Sequence, residues 1–183
     1  MKNIQIDLKA SKRKSRSLLQ LQCLTNNFWG PRLAHKFLTL MKLQIAATTD
    51  ADAIIAFDQV AASDPARVQF IHDQIKSGAC YIAVIDANVV AYAVLNYKFY
   101  DNGWIEMLYV HPQFRRQGIG SALIRHLVNE CRTPKLFTST NQSNFSMQRL
   151  LAAQEFDRSG FIENLDEGDP ELVYFKRLCD DAT

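Results

Sequence analysis

The stretch from Trp104 to Leu123 constrains the fold more than any other part of the chain. It begins as an apolar run that breaks at His111-Pro112, passes through a short basic loop, and enters Gly118-Ile119-Gly120. Apolar residues then recur with a helical period from Ile119 to Cys131, which predicts an amphipathic helix. A strand, a loop and a helix in this order predict the first half of a β-α-β crossover.

The same loop predicts a site for an anion. Gly118 and Gly120 lack the β-carbons that would keep a ligand away from the backbone. The first turn of the following helix carries unpaired N–H groups and the positive end of the helix dipole. Arg115 and Arg116 stand beside it. We therefore expect a diphosphate or a similar anion to bind here.

Two glycines alone are a weak signal, and two familiar phosphate motifs are absent. The dinucleotide-binding fingerprint requires a third glycine, where this chain has Leu123. The Walker motif requires Gly-Lys-Ser/Thr, which the loop lacks. The context of strand, basic loop and amphipathic helix is what strengthens the prediction.

The sequence from Met41 onward predicts a mixed α/β domain. Strands that pair antiparallel come first, and a β-α-β crossover follows at residues 104–140. Asp101-Asn102-Gly103 is expected to form a hairpin turn, because Asn-Gly accepts positive φ. The predicted strands are 42–47, 81–85, 89–95, 104–110, 136–140, 159–162 and 172–178. The predicted helices begin near residues 50, 65, 119 and 145, and the first is expected to continue through about Ala62.

Residues 1–40 differ in charge from the rest of the chain. They hold eight Lys or Arg side chains and one acid, Asp7, a net charge of +7, whereas residues 41–183 hold 13 basic and 18 acidic side chains, a net charge of −5. We expect a domain at 41–183 preceded by a basic N-terminal extension, 1–40, which is disordered or not part of the domain. The alternatives are an organellar presequence and an arm for nucleic acid or anionic lipid.

Composition narrows the choice of cofactors, partners and compartment. The cysteines have no paired spacing that would hold a metal or define a disulfide framework, so no metal is expected and a reducing compartment, the cytoplasm, is favoured. No stretch approaches about 18 consecutive apolar residues, so no membrane span is predicted. Nucleic acid is not an expected partner, because the basic residues of the extension lack interleaved aromatic side chains. The four cysteines are Cys23, Cys80, Cys131 and Cys179.

With the strand before it, the segment Arg115-Arg116-Gln117-Gly118-Ile119-Gly120 matches the signature Gln/Arg-x-x-Gly-x-Gly/Ala. In this the chain resembles the GNAT superfamily of acyl-CoA-dependent N-acyltransferases. The resemblance extends over residues 42–179 and includes a helix led by Asn144 and a strand at Phe161. It implies the GNAT fold, in which a mostly antiparallel sheet splays apart at the cofactor site and helices cover both faces.

The resemblance also implies a binding site for acetyl-CoA, which serves as a co-substrate. In this family the backbone of the central strand pairs with the pantetheine arm, and the backbone N–H groups of the loop and the first helical turn hold the diphosphate. A residue resembling Asn144 often contacts the cofactor near the next helix. The implied cofactor-binding residues are Leu108, Tyr109, Val110, Arg115, Arg116, Gln117, Gly118, Ile119, Gly120, Ser121 and Asn144.

Glu106 is the candidate general base, acting directly or through a water. Because side chains alternate along a strand, we expect it on the same face as Leu108 and Val110. From there a carboxylate could take the proton of an attacking amine. The alternative is a solvated or ion-paired strand residue with no part in the chemistry.

The proton donor for the departing thiolate is not assigned by the sequence. The family often has a Tyr in the helix after the Asn, and alignment on Asn144 and Phe156 puts Leu151 at that position. The usual Gly before the Phe is Glu155. A thiol leaves well enough that a dedicated acid is not required. The tyrosines that remain as candidates, each also explained as a core or strand residue, are Tyr97, Tyr109 and Tyr174.

Five acidic residues crowd the loop before the last strand. Such a run is ordinarily a solvated loop; the alternative hypothesis is an acidic rim that attracts a cationic amine acceptor. They are Glu163, Asp166, Glu167, Asp169 and Glu171.

Together these features predict an N-acetyltransferase that transfers the acetyl group of acetyl-CoA to a primary amine, without metal or covalent intermediate. The alternative is a non-catalytic acyl-CoA-binding or regulatory module on the same fold, which the missing Tyr keeps open. The sequence does not identify the acceptor, a small molecule or a peptide. It leaves the oligomeric state open, with a homodimer as one option.

Overall fold

The computed structural model describes residues 41–178, which form a seven-stranded sheet with helices on both faces. The strand order is β1-β2-β3-β4-β5-β7-β6, and all neighbours are antiparallel except the parallel pair β4 and β5. The strands are β1 (Lys42–Ile45), β2 (Cys80–Ile85), β3 (Asn88–Phe99), β4 (Asn102–Val110), β5 (Lys135–Asn141), β6 (Asp157–Ile162) and β7 (Glu171–Arg177), and the helices are α1 (Ala51–Phe57), α2 (Pro65–Lys76), α3 (Ile119–Glu130) and α4 (Phe145–Ala153). The mixed α/β class and the β-α-β crossover are confirmed.

Two apolar cores lie on opposite faces of the sheet. The first core lies under α3 and α4 and includes Leu123 and Leu151, both fully buried. The second core lies under α1 and α2 and includes Ile54 and Ile71. The burial of both helix pairs follows from their apolar stripes, and it fixes the sheet between two layers of helices.

The parallel pair β4 and β5 is joined along only a short length. Gly103, Trp104 and Ile105 of β4 pair with residues 136–138 of β5, and beyond Ile105 the two strands part. The last link is a hydrogen bond from the Thr138 hydroxyl to the Ile105 carbonyl, at 2.9 Å. The sheet is therefore splayed from Glu106 onward, as the resemblance implies.

An aromatic ladder lies at the joined end of the two strands. Trp104 stacks on Phe99 with ring centroids 4.6 Å apart, and Phe99 also contacts Phe137, which in turn stacks on Phe175. Aromatic pairs of this kind stabilise neighbouring strands by roughly 0.5–1.5 kcal/mol each. The ladder holds β3, β4, β5 and β7 together where the splay begins.

Two local predictions are wrong. Positive φ falls on Tyr100 and Asp101, not on Asn102-Gly103, so the turn precedes the Asn-Gly pair and both of those residues belong to β4. Gly103 is needed for packing instead, because a β-carbon there would overlap the Cys131 sulfur.

Helix α1 also ends earlier than predicted, at Phe57 and not near Ala62. The following residue, Asp58, is only 1% exposed and accepts hydrogen bonds from the Tyr92 hydroxyl at 2.6 Å and from the Val60 N–H at 2.9 Å. These bonds stabilise a turn in place of further helix. The start of α2 agrees with its sequence signal, because the Asp64 side chain caps the Ala66 N–H and Pro65 occupies the first helical position.

Some of the predictions concern residues outside 41–178. The expectation of a basic extension at 1–40 lies there, as do Cys23 and Cys179. Within residues 41–178, no helix combines the length and apolar content needed to cross a membrane. In the same region, His, Cys, Asp and Glu side chains do not gather in any group of three that could hold a metal ion.

Candidate active site

Residues 116–121, the loop before α3 and its first turn, have the main-chain geometry of an anion-binding site, and we call them the anion cradle. Arg116 and Gly118 have φ of 61° and 83°, so two left-handed residues alternate with ordinary ones and turn successive N–H groups inward. Among the residues the structure describes, no acceptor receives a hydrogen bond from the N–H groups of residues 116 through 121. Exposed, unpaired donors at a helix N-terminus are the arrangement that binds phosphate.

The two glycines of this loop have different roles. A β-carbon on Gly118 would meet nothing within 4 Å, so Gly118 is required for its left-handed φ and leaves open space beside the cradle. A β-carbon on Gly120 would lie 3.2 Å from a Leu150 methyl group and 3.8 Å from Leu108 and Val110. Gly120 therefore permits close packing of α3 against α4 and β4, which corrects the expectation that both glycines make room for a ligand.

Two side chains of the basic loop donate hydrogen bonds to backbone carbonyl groups of the protein. Arg115 donates from Nε to the Val110 carbonyl at 3.1 Å and lies over the Tyr109 ring, 5.5 Å from its centroid. Gln117 donates to the Gln113 carbonyl at 3.2 Å. Arg115 and Arg116 are both exposed, so their charges remain available to an anion in the cradle.

The open edge of β4 leads directly to this cradle. His111 donates its N–H to the Val90 carbonyl of β3 at 2.9 Å. In an antiparallel pair the direction alternates, so the backbone of Tyr109 also faces β3, whereas Leu108 and Val110 direct their N–H groups into the splay. Leu108 and Val110 can thus pair with an extended ligand, and the backbone of Tyr109 cannot. The Tyr109 hydroxyl instead accepts from the Gln59 N–H at 3.1 Å and ties β4 to the turn after α1.

Glu106 lies where the splay begins, but not on the face that alternation predicts. Val94 of β3 is opposite Met107 and Leu95 is opposite Ile105, so Glu106 is the extra residue of a β-bulge. The bulge puts Ile105 and Leu108, three residues apart, in the same first core, and thereby interrupts the alternation. The expectation that Glu106 shares the face of Leu108 and Val110 is therefore wrong.

The carboxylate of Glu106 is exposed and has one hydrogen-bond partner among the described residues. Asn96 of β3 donates from Nδ2 to Glu106 Oε2 at 2.5 Å. Asn96 alternates with Tyr92 and Val94, which belong to the second core, so Glu106 points toward the α1 and α2 side of the sheet. Asn96 is not among the residues predicted for the site, and its only signal in the sequence is that a polar residue directly follows the apolar run of β3.

Asn144 stands immediately before α4 and is its N-cap. Its Oδ1 accepts from the Met147 N–H at 3.1 Å, so the side-chain carbonyl is occupied and the amide NH₂ is left as a donor. The residue is exposed. A contact between Asn144 and a cofactor would therefore be donated by its Nδ2.

The structure separates the tyrosines that are candidates for the proton donor. Tyr97 accepts from the backbone and side chain of Arg132, which follows α3 at the end opposite the cradle. Tyr174 of β7 is 8% exposed, packs in the first core with Leu151, and is opposite Thr138, the residue at the start of the splay. Leu151, at the usual Tyr position, is fully buried core.

The acidic loop between β6 and β7 is partly structural. Asp166 accepts from the Asn141 amide at 2.7 Å, and Asp169 accepts from both the N–H and the hydroxyl of Ser143. These bonds fasten the loop to the turn between β5 and α4. Three other acidic side chains, of which Glu171 already belongs to β7, make no hydrogen bond or ion pair to a described residue; they are those of Glu163, Glu167 and Glu171.

A recess of about 950 Å³ lies elsewhere, between the C-terminal ends of α2 and α3 and the exposed end of β3. Gln74, Asn96 and Arg132 are among its lining residues, and none of the residues of the anion cradle is. No residue of β4 lines this recess either.

A splayed sheet with an open strand edge that leads to a loop of unpaired main-chain N–H groups is the arrangement that the resemblance to acyl-CoA-dependent transferases implies. The model of the Acetyltransferase (GNAT) family matches residues 45–156. The chain therefore belongs to the GNAT family and is an acetyl-CoA-dependent acetyltransferase. This membership favours the enzyme over the non-catalytic module.

Solved structures agree with this assignment. The chain is 33% identical to a GNAT-family acetyltransferase from Bacillus cereus, with a TM-score of 0.72 over 76% of this chain and 99% of that one. Ribosomal-protein-S18-alanine N-acetyltransferase from Escherichia coli is similar in fold, with 18% identity and a TM-score of 0.67 over 78% of this chain and 96% of that one. No curated protein matches the sequence.

A third similar fold is that of a Salmonella typhimurium protein described as a putative acetyltransferase with its cofactor acetyl-CoA. The identity is 16% and the TM-score is 0.62, over 79% of this chain and 97% of that one. At this identity the likeness concerns the fold alone.

Proposed function

We propose that the protein transfers the acetyl group of acetyl-CoA to a primary amine by direct attack in a ternary complex. The observation that carries the proposal is the continuity of three features: the open N–H groups of Leu108 and Val110, the unpaired N–H groups of residues 116 through 121, and the Glu106 carboxylate at the start of the splay. The first two would hold the pantetheine arm and the diphosphate of one extended cofactor. The third would lie beside its thioester.

The chain's own groups supply the chemistry as follows. Glu106 takes a proton from the attacking amine, directly or through a water, and Oε1 is the free oxygen because Oε2 is held by Asn96. The amine nitrogen bonds to the carbonyl carbon, and the bond from that carbon to sulfur breaks. Main-chain N–H groups on the open edge of β4 polarise the carbonyl oxygen. Positioning and these donors account for most of the rate.

Tyr174 is our choice for the group that protonates the departing thiolate. It lies opposite Thr138 at the start of the splay, and it occupies the same core as Leu151. The hydroxyls of Tyr97 and Tyr109 bind other groups, at the far end of α3 and at the turn after α1. Substitution of Tyr174 by Phe should lower kcat with little change in the KM for acetyl-CoA, whereas an unchanged kcat would leave protonation to solvent.

The acceptor is a small molecule or a peptide that carries a primary amine. The E. coli protein of similar fold is described as acting on an alanine of ribosomal protein S18. This makes peptide N-termini one class to test, beside lysine, amino acids and polyamines. Glu163, Glu167 and Glu171 would attract a cationic acceptor, so changing all three to Gln should raise the acceptor KM and flatten its salt dependence.

The proposal is tested by thiol release from acetyl-CoA across a panel of amines. Glu106→Gln should lower turnover by about 10²–10⁴-fold while acetyl-CoA binding, measured by calorimetry, is retained. Glu130→Gln, an exposed carboxylate at the far end of α3, is the matched control and should behave like the parent protein. Parent-like turnover of Glu106→Gln would remove the base, and the absence of any heat of acetyl-CoA binding would remove the site.

A further inference from the structure

Asn96 is a buried polar residue in an apolar strand, and both ends of its side chain are hydrogen-bonded. It is 8% exposed. Its Oδ1 accepts from the Lys98 N–H at 3.0 Å, and its Nδ2 donates to Glu106 Oε2 at 2.5 Å. A buried amide is retained in a strand only when its hydrogen bonds are satisfied, so the position of Asn96 depends on Glu106 as well as on its own strand.

The orientation of this amide follows from its partners. The backbone N–H of Lys98 can only donate, so the atom that faces it must be the side-chain carbonyl oxygen. The NH₂ group then faces Glu106. A flipped amide would set a donor against a donor and an oxygen against a carboxylate, and both contacts would be unfavourable.

The backbone alone does not fix the direction of the Glu106 side chain. As the extra residue of a bulge, Glu106 has no cross-strand partner on β3, and beyond Ile105 it has no neighbour on β5. Its side chain is exposed and has several rotamers open to it. The bond from Asn96 is therefore the one hydrogen bond from a described residue that selects among those rotamers.

We propose that Asn96 is the positioning residue of the general base: it holds Oε2 and so directs Oε1 of Glu106 toward the acceptor amine. The proposal rests on the function proposed above for Glu106. A neutral amide suits this role, because it binds one carboxylate oxygen and leaves the charge and the second oxygen for the proton. Asn96 itself touches neither substrate, so its effect passes entirely through Glu106.

The first experiment is steady-state kinetics on Asn96→Ala and Asn96→Asp. Without the amide donor the carboxylate is free to rotate, and a misplacement of about 1 Å can lower a rate by about 10²-fold. We expect kcat to fall by about 10- to 100-fold while the KM values for acetyl-CoA and acceptor stay within about twofold of the parent. Asn96→Asp keeps the acceptor for the Lys98 N–H and the volume of the side chain, but it places a second carboxylate against Glu106. Its kcat should therefore fall at least as far as that of Asn96→Ala.

The matched control is Asn102→Ala. Asn102 belongs to the same β3–β4 hairpin, and its side-chain amide donates to the Tyr100 carbonyl at 2.8 Å without contacting Glu106. It should have the kcat of the parent. Melting temperatures of all variants, with and without acetyl-CoA, establish that each is folded. If Asn96→Ala does not fold, the near-isosteric Asn96→Asp carries the test.

The second experiment is a double-mutant cycle with Glu106→Gln. If Asn96 acts through Glu106, the double variant Asn96→Ala/Glu106→Gln should be no slower than Glu106→Gln alone. Losses that multiply would mean that Asn96 acts independently of Glu106 and would overturn the inference, as would a parent-like kcat in Asn96→Ala and Asn96→Asp. Full activity of Glu106→Gln would remove the base and the role of Asn96 together, but it would leave the acetyltransferase itself in place.

Discussion

The anion cradle depends on left-handed backbone at Gly118, and Gly118→Ala should expose that dependence. A residue with a β-carbon costs about 1–2 kcal/mol in this region of φ, and alanine lowers the entropy of the unfolded chain by about 0.4–1 kcal/mol. No steric term is added, because the new β-carbon meets nothing within 4 Å. The substitution should therefore lower the stability of the cofactor-bound protein, relative to the unfolded chain, by about 1 kcal/mol.

This loss divides between folding and binding. If the free protein keeps the cradle, the free energy of unfolding falls and acetyl-CoA binds as before. If the loop relaxes in the free protein, stability is kept and the Kd rises by about fivefold for 1 kcal/mol. Urea denaturation measures the change in the free energy of unfolding, and calorimetric titration measures the change in the free energy of acetyl-CoA binding. The sum of these two losses should be about 1 kcal/mol.

Gly78→Ala is the control for Gly118→Ala. Gly78 also has a positive φ, of 72°, and a β-carbon there would meet nothing within 4 Å. Gly78 follows α2 and is not part of the cradle, so the effect of its substitution should appear in stability alone. The reasoning is refuted if Gly118→Ala keeps both parent stability and parent affinity while Gly78→Ala loses stability. If the combined loss exceeds about 1 kcal/mol and the excess is in acetyl-CoA binding, the excess would measure a clash between the new methyl group and the bound diphosphate.

Three further predictions concern stability. Glu155 has a φ of 59°, so Glu155→Gly should raise the free energy of unfolding by about 1 kcal/mol in urea, because the lost ion pair with Lys176 is exposed and contributes little. Tyr92→Phe removes the hydroxyl bonded to buried Asp58 and should lower the free energy of unfolding by about 1–3 kcal/mol; a parent-like urea midpoint would contradict this. Burial raises the pKa of the Cys80 thiol from 9.0 to about 12, so the unfolded chain loses this proton first and the free energy of unfolding should fall as pH rises from 9 to 12. Cys80→Ala should make that fall shallower in melts across the same range, and an identical slope would count against the shift.

Local sequence patterns predicted the elements that position the site. The amphipathic stripe of α3, the cap of α2 and the Gly118 loop are each encoded within a few consecutive residues, and the structure has all three. The resemblance to the GNAT family supplied what no local pattern contains, the splay between β4 and β5.

The remaining features depend on contacts between distant parts of the chain. The bulge at Glu106 arises from the register of β4 on β3, and alternation along one strand cannot reveal an extra residue. The bonds of Asn96 to Glu106 and of Asp58 to Tyr92 join residues ten and 34 positions apart. The hairpin at Tyr100-Asp101 was misplaced because Asn102-Gly103 carries the stronger turn signal, while packing against Cys131 places Gly103 in the strand.

The short seam between β4 and β5 has a consequence for how the molecule responds to its co-substrate. Strands β1 to β4 and strands β5 to β7 are joined side by side through only residues 103–105 and 136–138. An extended molecule laid along Leu108 and Val110 would serve as a substitute strand and fill the gap that the chain leaves in its own sheet. The hydrogen bonds that hold acetyl-CoA would then also extend the pairing of β4 where the chain provides no neighbouring strand. Binding of acetyl-CoA would therefore stabilise the sheet as well as supply the acetyl group.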